Sequence, residues 1–155
     1  MQIVTDSGTD IGLTPGERAE LNIHVVPLVV TLDGKSYREE LDITAEAFYP
    51  LLEASGNLPT TSQPSAGDFA EKYRELAKKD PDILSIHMTA GLSGTFNSAQ
   101  AGAEMVPEAR ITLVNTKTLS AAAGWQVKAA AHAVKADWAL DKILPMLQMI
   151  SDASE

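Results

Sequence analysis

Residues 83–95, Ile83-Leu84-Ser85-Ile86-His87-Met88-Thr89-Ala90-Gly91-Leu92-Ser93-Gly94-Thr95, decide the fold. A run of apolar, strand-favouring residues passes into a turn of small residues, and a helical pattern with Phe96 and Ala99 on its inner side follows. Strand, short turn and helix in that order are the unit of an α/β layered domain. In open sheets of this kind ligands gather at the carboxyl ends of the strands. The helix start after Gly94 offers unpaired N–H groups and partial positive charge to an anion. Gly91 and Gly94 allow close backbone approach. Ser93 has two readings: a hydroxyl donor to a ligand, or a cap that satisfies its own helix.

Outward from this unit the alternation continues. Gln2–Thr5, His24–Leu32 and Ile111–Val114 read as further strands. Pro27 inside Val25-Val26-Pro27-Leu28-Val29-Val30 removes a ladder donor and predicts an edge strand or a bulge. Thr14-Pro15-Gly16-Glu17 is a capping box with proline at the first helical position. Ser65 caps a helix whose first turn holds Asp68 and whose inner face is Phe69, Tyr73, Leu76 and Ala77. Thr44 is expected to cap a helix with Phe48, Leu51 and Leu52 on one side, kinked or shortened by Pro50. From Ser120 to about Ile150 two helices are expected, joined near Lys135–Trp138. The later one carries Leu140, Ile143, Leu144 and Leu147, interrupted by Pro145. The expectation is an α/β, three-layer domain with a mostly parallel sheet flanked by helices, over residues 1–150, and a polar end at 151–155.

Bulk properties exclude several functions. With 155 residues and 45% apolar content the chain suits one domain. Twenty-one acidic against 12 basic side chains give a net charge of −9. That opposes both nucleic-acid binding and adhesion to anionic headgroups. Cysteine is absent, so disulfides, thiolate metal sites and cysteine nucleophiles are ruled out. The opening Met1-Gln2-Ile3-Val4-Thr5-Asp6 lacks the pattern of a signal peptide, and no apolar run approaches the roughly 20 residues of a bilayer span. A cytoplasmic protein without membrane insertion is expected.

Familiar catalytic motifs fit poorly. Gly91–Thr95 lacks the lysine of a phosphate loop. Gly91-Leu92-Ser93-Gly94-Thr95 misses the Gly-x-Ser-x-Gly nucleophile elbow by one place, and an esterase using Ser93 would have to recruit His132, which reads as a structural residue on a helix face. Thr5-Asp6-Ser7-Gly8-Thr9-Asp10 has glycine where an Asp-x-Asp phosphatase needs an acid, which favours turn chemistry. His24, His87 and His132 show no metal spacing, so neither metal nor cofactor is expected. Pro59-Thr60-Thr61-Ser62-Gln63-Pro64-Ser65 offers three hydroxyls and an amide in a proline-bounded loop, which supplies donors without net charge.

Together, Thr5-Asp6-Ser7, Leu41-Asp42-Ile43-Thr44, Thr61-Ser62-Gln63-Pro64-Ser65 and Gly91-Leu92-Ser93-Gly94-Thr95-Phe96-Asn97-Ser98-Ala99 resemble the DegV family, in its order and along the whole chain. The resemblance implies a bacterial fatty-acid-binding protein, not an enzyme, that presents its bound acid to a separate fatty-acid kinase. It implies a carboxylate held by the Thr61 and Ser93 hydroxyls, helped by the Gly94 N–H, with Ser62, Asp6, Ser7 and Ser120 in support and the acyl chain in an apolar tunnel. Two departures stand out: Asn115-Thr116 replaces the family's usual Asp-Ser, and only the first of the family's two domains is matched. The second domain supplies tunnel wall and basic residues near the headgroup. Without it, an interaction domain with a vestigial lipid site is the competing expectation.

Overall fold

A computed structural model describes residues 1–154. The expected strand at Ile83–Met88 forms β6, Asp82–His87. It lies in a parallel sheet with β1 (Gln2–Asp6), β2 (Ile23–Val26) and β7 (Arg110–Asn115), in the order β2-β1-β6-β7. Side chains alternate across a strand, and β1 shows this directly. Ile3 joins one apolar core with Ile23, Leu84 and Ile86, whereas Val4 joins a second core with Val26 and Ile83.

Helices cover both faces. On the first pack residues of α5 (Ser120–Lys135) and α6 (Leu140–Asp152), with Ile11 and Leu21 flanking α1 (Pro15–Glu20). On the second lie Phe69, Ala70, Tyr73 and Leu76 of α3 (Ala66–Ala77) and Ala99 of α4 (Thr95–Glu104). The capping boxes at Thr14 and Ser65 both form: each hydroxyl accepts the N–H three residues on, and the Glu17 and Asp68 carboxylates reach back to the cap N–H. The three-layer α/β architecture is present.

One expected strand is two. The chain leaves the parallel sheet at Pro27: β2 ends at Val26, and β3 (Val29–Leu32) belongs to a separate antiparallel sheet. Pro27 therefore marks a change of sheet rather than a bulge in a continuous strand. The second sheet has the order β4-β3-β5, with β4 at Lys35–Arg38 and β5 at Thr60–Ser62. The segment around Thr61, expected as a loop, is thus an edge strand, and Thr61 pairs with Val30.

Neither internal proline stops its helix. α2 (Ala45–Ser55) continues through Pro50, and α6 through Pro145. Both prolines are exposed. Thr44 stands at the N-cap of α2 without a side-chain capping bond. α2 buries no residue; Phe48 and Leu52 are half-buried while Leu51 is exposed. α6 extends two residues into the expected polar end. Ser151 there is buried and donates to the Thr116 carbonyl at 3.0 Å, which seats the last helical turn. Glu155 lies outside the described residues.

α5 packs against the loop after β1 with no space between. A Cβ on Gly124 would fall 2.6 Å from the Asp10 carbonyl carbon and 3.0 Å from Ile11 Cα. Ser120, at φ 53°, accepts the Asp10 N–H at 3.2 Å and donates its own N–H to the Gly8 carbonyl at 3.0 Å.

Candidate functional site at the carboxyl end of the sheet

β1 has neighbours on both sides, β2 and β6, and the chain builds outward from it in both directions. The loops after β1 and β6 therefore diverge, which opens the crevice where such sheets bind ligands. One wall comes from the loop after β6 and the start of α4: Met88, Leu92, Ser93 and Gly94. The other comes from the small sheet and the residues that flank its strands: Leu28, Thr61, Ser62 and Gln63. Between them is a cleft of about 450 Å³. Thr61 and Ser93 thus face one space, with Ser62 and Gly94 beside them, and no charged side chain lines it.

Ser93 serves its own helix as well. Its Oγ accepts the Thr95 N–H at 3.2 Å and lies 2.9 Å from Thr95 Oγ1, whose residue is fully buried. Gly94 is the N-cap of α4 and brings no capping side chain. If the Thr95 hydroxyl donates to Ser93, the hydrogen of Ser93 stays free for an acceptor in the cleft. The two readings of Ser93 are compatible.

The other three expected support residues lie outside the cleft. Asp6 and Ser7 reach it through the backbone. Asp6 Oδ2 accepts the N–H of Met88 at 3.2 Å, and Ser7 Oγ accepts that of Leu28 at 2.9 Å, so each fixes a cleft residue from behind. Ser7 also donates to Glu39 Oε2 at 2.5 Å and lines a different cleft, of about 280 Å³, against Phe48 and Tyr49 of α2. Ser120 is exposed at the start of α5, where its backbone clamps the loop after β1. Asn115 accepts the N–H groups of Ala90 at 3.3 Å and Lys117 at 3.0 Å, so the carboxamide ties the loops after β6 and β7 without a charge.

A buried polar chain behind the cleft was not anticipated. Asp6 Oδ2 meets His87 Nδ1 at 2.8 Å, His87 Nε2 meets Ser85 Oγ at 2.7 Å, and Ser85 Oγ meets the Tyr73 hydroxyl at 2.8 Å. All four residues are fully buried. One assignment satisfies every group: Tyr73 donates to Ser85, Ser85 to His87, and His87 to Asp6. Burial pushes the Tyr73 hydroxyl well above its usual pKa, more than its bond to Ser85 lowers it, so the phenol keeps its proton. The sequence did hold a signal, since Ser85 and His87 are polar positions on one face of an otherwise apolar strand.

This chain has an Asp–His–Ser order, but its serine is sealed in the sheet. The other candidate, Ser93, is half-buried and hydrogen-bonded to Thr95, and His132 is exposed on α5. Among the described residues no group of three potential metal ligands occurs, and no helix is long and apolar enough to cross a membrane.

A family model described as "Uncharacterised protein, DegV family" matches residues 1–155. The DegV domain-containing protein YejH of Lactococcus lactis is 40% identical over 155 residues, covering all of this chain and 54% of its own. A DegV domain-containing 15.5 kDa protein of Staphylococcus aureus is 42% identical over 126 residues, 81% of this chain and 87% of that protein. Among solved structures, "DegV, a fatty acid binding protein" from Bacillus subtilis superposes with TM-score 0.88 at 33% identity, over 97% of this chain and 53% of that one. A DegV family protein from Thermus thermophilus, presented as fatty-acid binding, gives 0.85 at 38% identity over 97% and 53%. A stearic-acid-binding protein from Eubacterium ventriosum gives 0.85 at 25% identity over 96% and 52%. The chain spans about half the length of YejH and of these three structures.

Proposed function

The chain belongs to the DegV family, and on that premise we propose that it binds a long-chain fatty acid with the carboxylate in the cleft between β5 and α4. One observation supports the reading: Thr61 and Ser93, 32 residues apart in sequence, line the same cleft, together with Leu28, Met88 and Leu92. Hydroxyl donors, the Gly94 N–H and the positive end of α4 hold an anion there without burying a lysine or arginine beside an alkyl chain. Leu28, Met88 and Leu92 give the first methylenes an apolar path. Each buried methylene then contributes about 0.8 kcal/mol, so the tail supplies most of the affinity.

In this reading the protein is a carrier that performs no chemistry alone and presents the acid headgroup to a fatty-acid kinase. The fatty-acid-binding relatives support the ligand class, and the open cleft mouth supports a headgroup within a partner's reach. The test is native mass spectrometry of the protein purified from bacteria, followed by titration of the delipidated protein with oleate. A co-purifying long-chain acid and saturable oleate binding are expected. Absence of both overturns the assignment.

A further inference from the structure

Gln63 follows directly on β5 and lies across the start of α4. A Cβ placed on Gly94 would come 2.5 Å from Gln63 Nε2 and 2.7 Å from its Cδ. The carboxamide therefore occupies the space that any other residue at 94 would fill with its side chain. One turn further along α4, Gln63 Nε2 donates to Ser98 Oγ at 3.3 Å. Backbone conformation does not call for glycine here, because Gly94 has φ −75°, open to every residue. Gly91 is the contrast: a Cβ there would meet Thr89 Oγ1 at 3.5 Å, an ordinary contact.

We propose that residue 94 is glycine in order to seat Gln63, and that Gln63 so seated is a positioning residue that sets the distance between the Thr61 and Ser93 hydroxyls. The inference rests on the cleft being the headgroup site. Its physical basis is the weak tethering of β5. That strand is three exposed residues long, sits at the edge of the small sheet, and pairs only with β3. Among the described residues no strand pairing joins it to the parallel sheet, whose strand β6 leads into the loop that holds Ser93. The Gln63 carboxamide crosses from one wall to the other, and buried Pro64 fixes the chain immediately after it. Gly94 thus acts on the ligand through Gln63, beyond any N–H it offers.

The alternative role for Gly94, direct approach of the headgroup to bare backbone, predicts different coupling. Gly94→Ala displaces only the end of a flexible side chain, so the variant folds. The experiment is a double-mutant cycle with Gln63→Ala, Gly94→Ala and both together, read by oleate titration of delipidated protein. Thermal midpoints certify folding, and ¹⁵N spectra of the ligand-free proteins report the Thr61 and Ser62 amides. Each single change is expected to weaken oleate binding about five- to ten-fold, the scale of one lost hydrogen bond, and the double change no further. The Thr61 and Ser62 amides are expected to shift in both singles and no further in the double. Losses that multiply in the double variant overturn the inference and leave the fatty-acid reading intact. If the unaltered protein binds no oleate, that reading fails, and the amide shifts decide alone: unmoved Thr61 and Ser62 signals overturn the inference, and matched non-additive shifts uphold it.

Discussion

Asp6 and His87 are the last residues of two adjacent parallel strands, and their side chains meet at 2.8 Å with no solvent exposure. Asp6 is also the acceptor for the Gly8 and Met88 N–H groups. Its carboxylate therefore anchors the start of the loop after β6, which forms one wall of the cleft, together with the loop after β1 behind it.

A graded stability series along this chain follows. Asp6→Asn sets an NH₂ against groups that already donate, and is expected to lower unfolding stability by about 3 kcal/mol. Ser85→Ala leaves His87 Nε2 and the Tyr73 hydroxyl without partners and should lose about 2 kcal/mol. Tyr73→Phe removes the terminal donor and leaves the Ser85–His87 bond, for a loss of about 1 kcal/mol. Urea unfolding of the three variants checks the order, and a larger loss for Tyr73→Phe than for Asp6→Asn contradicts the assignment.

Removing either cleft hydroxyl should weaken headgroup binding. Thr61→Val and Ser93→Ala are each expected to reduce oleate affinity roughly ten-fold, as befits a hydrogen bond to a charged acceptor. Binding of an uncharged long-chain ester serves as control and should change far less. Equal losses for acid and ester would assign the hydroxyls to packing.

Gly124→Ala forces a methyl group against the Asp10 backbone, which cannot swing aside as a side chain can. An overpacked contact of this kind is expected to lower stability by about 2–3 kcal/mol. Thermal unfolding measures it. Gly91→Ala, with an ordinary 3.5 Å contact, should change the midpoint little.

Acid sensitivity should begin above the carboxylate range because of His24. Burial, and secondarily Lys72, push its pKa below the usual 6.5, against an opposing pull from Glu75. A depressed folded-state pKa means that stability is complete above 6.5 and declines as pH falls through 6.5 toward the folded value. His24→Gln keeps a donor for Gln2, which His24 meets at 2.9 Å, and should flatten this part of the profile. Asp42, held at about 2 by its bonds to Arg38, titrates only in stronger acid. Urea midpoints between neutral and mildly acidic pH, with and without His24, separate the two ranges.

Legibility followed the range of the forces. The Thr14 and Ser65 caps act within four residues, and the buried strands are rich in isoleucine, leucine and valine, so both are readable from the chain. β4 and β5 were not, since Lys35–Arg38 and Thr60–Ser62 show no apolar alternation and owe their form to backbone pairing with β3. Pro27 was visible, but whether it bulges a strand or ends one depends on what neighbours Val29. Of the site, Thr61 and Ser93 were named through family motifs. Their approach across 32 residues depends on packing that neither local segment encodes. From the sequence Gln63 is one more polar residue of a proline-bounded loop, and its seat on Gly94 is visible only in three dimensions.

The switch of sheets at Pro27 has a mechanical consequence. Thr61 belongs to the small sheet, and Ser93 follows a strand of the large one. Among the described residues the two sheets are joined by side-chain bonds, such as Ser7 to Leu28 and Gln63 to Ser98, and by no strand pair. The spacing of the two alcohols therefore depends on how three short strands are seated against the parallel sheet, and the ladder of that sheet does not fix it.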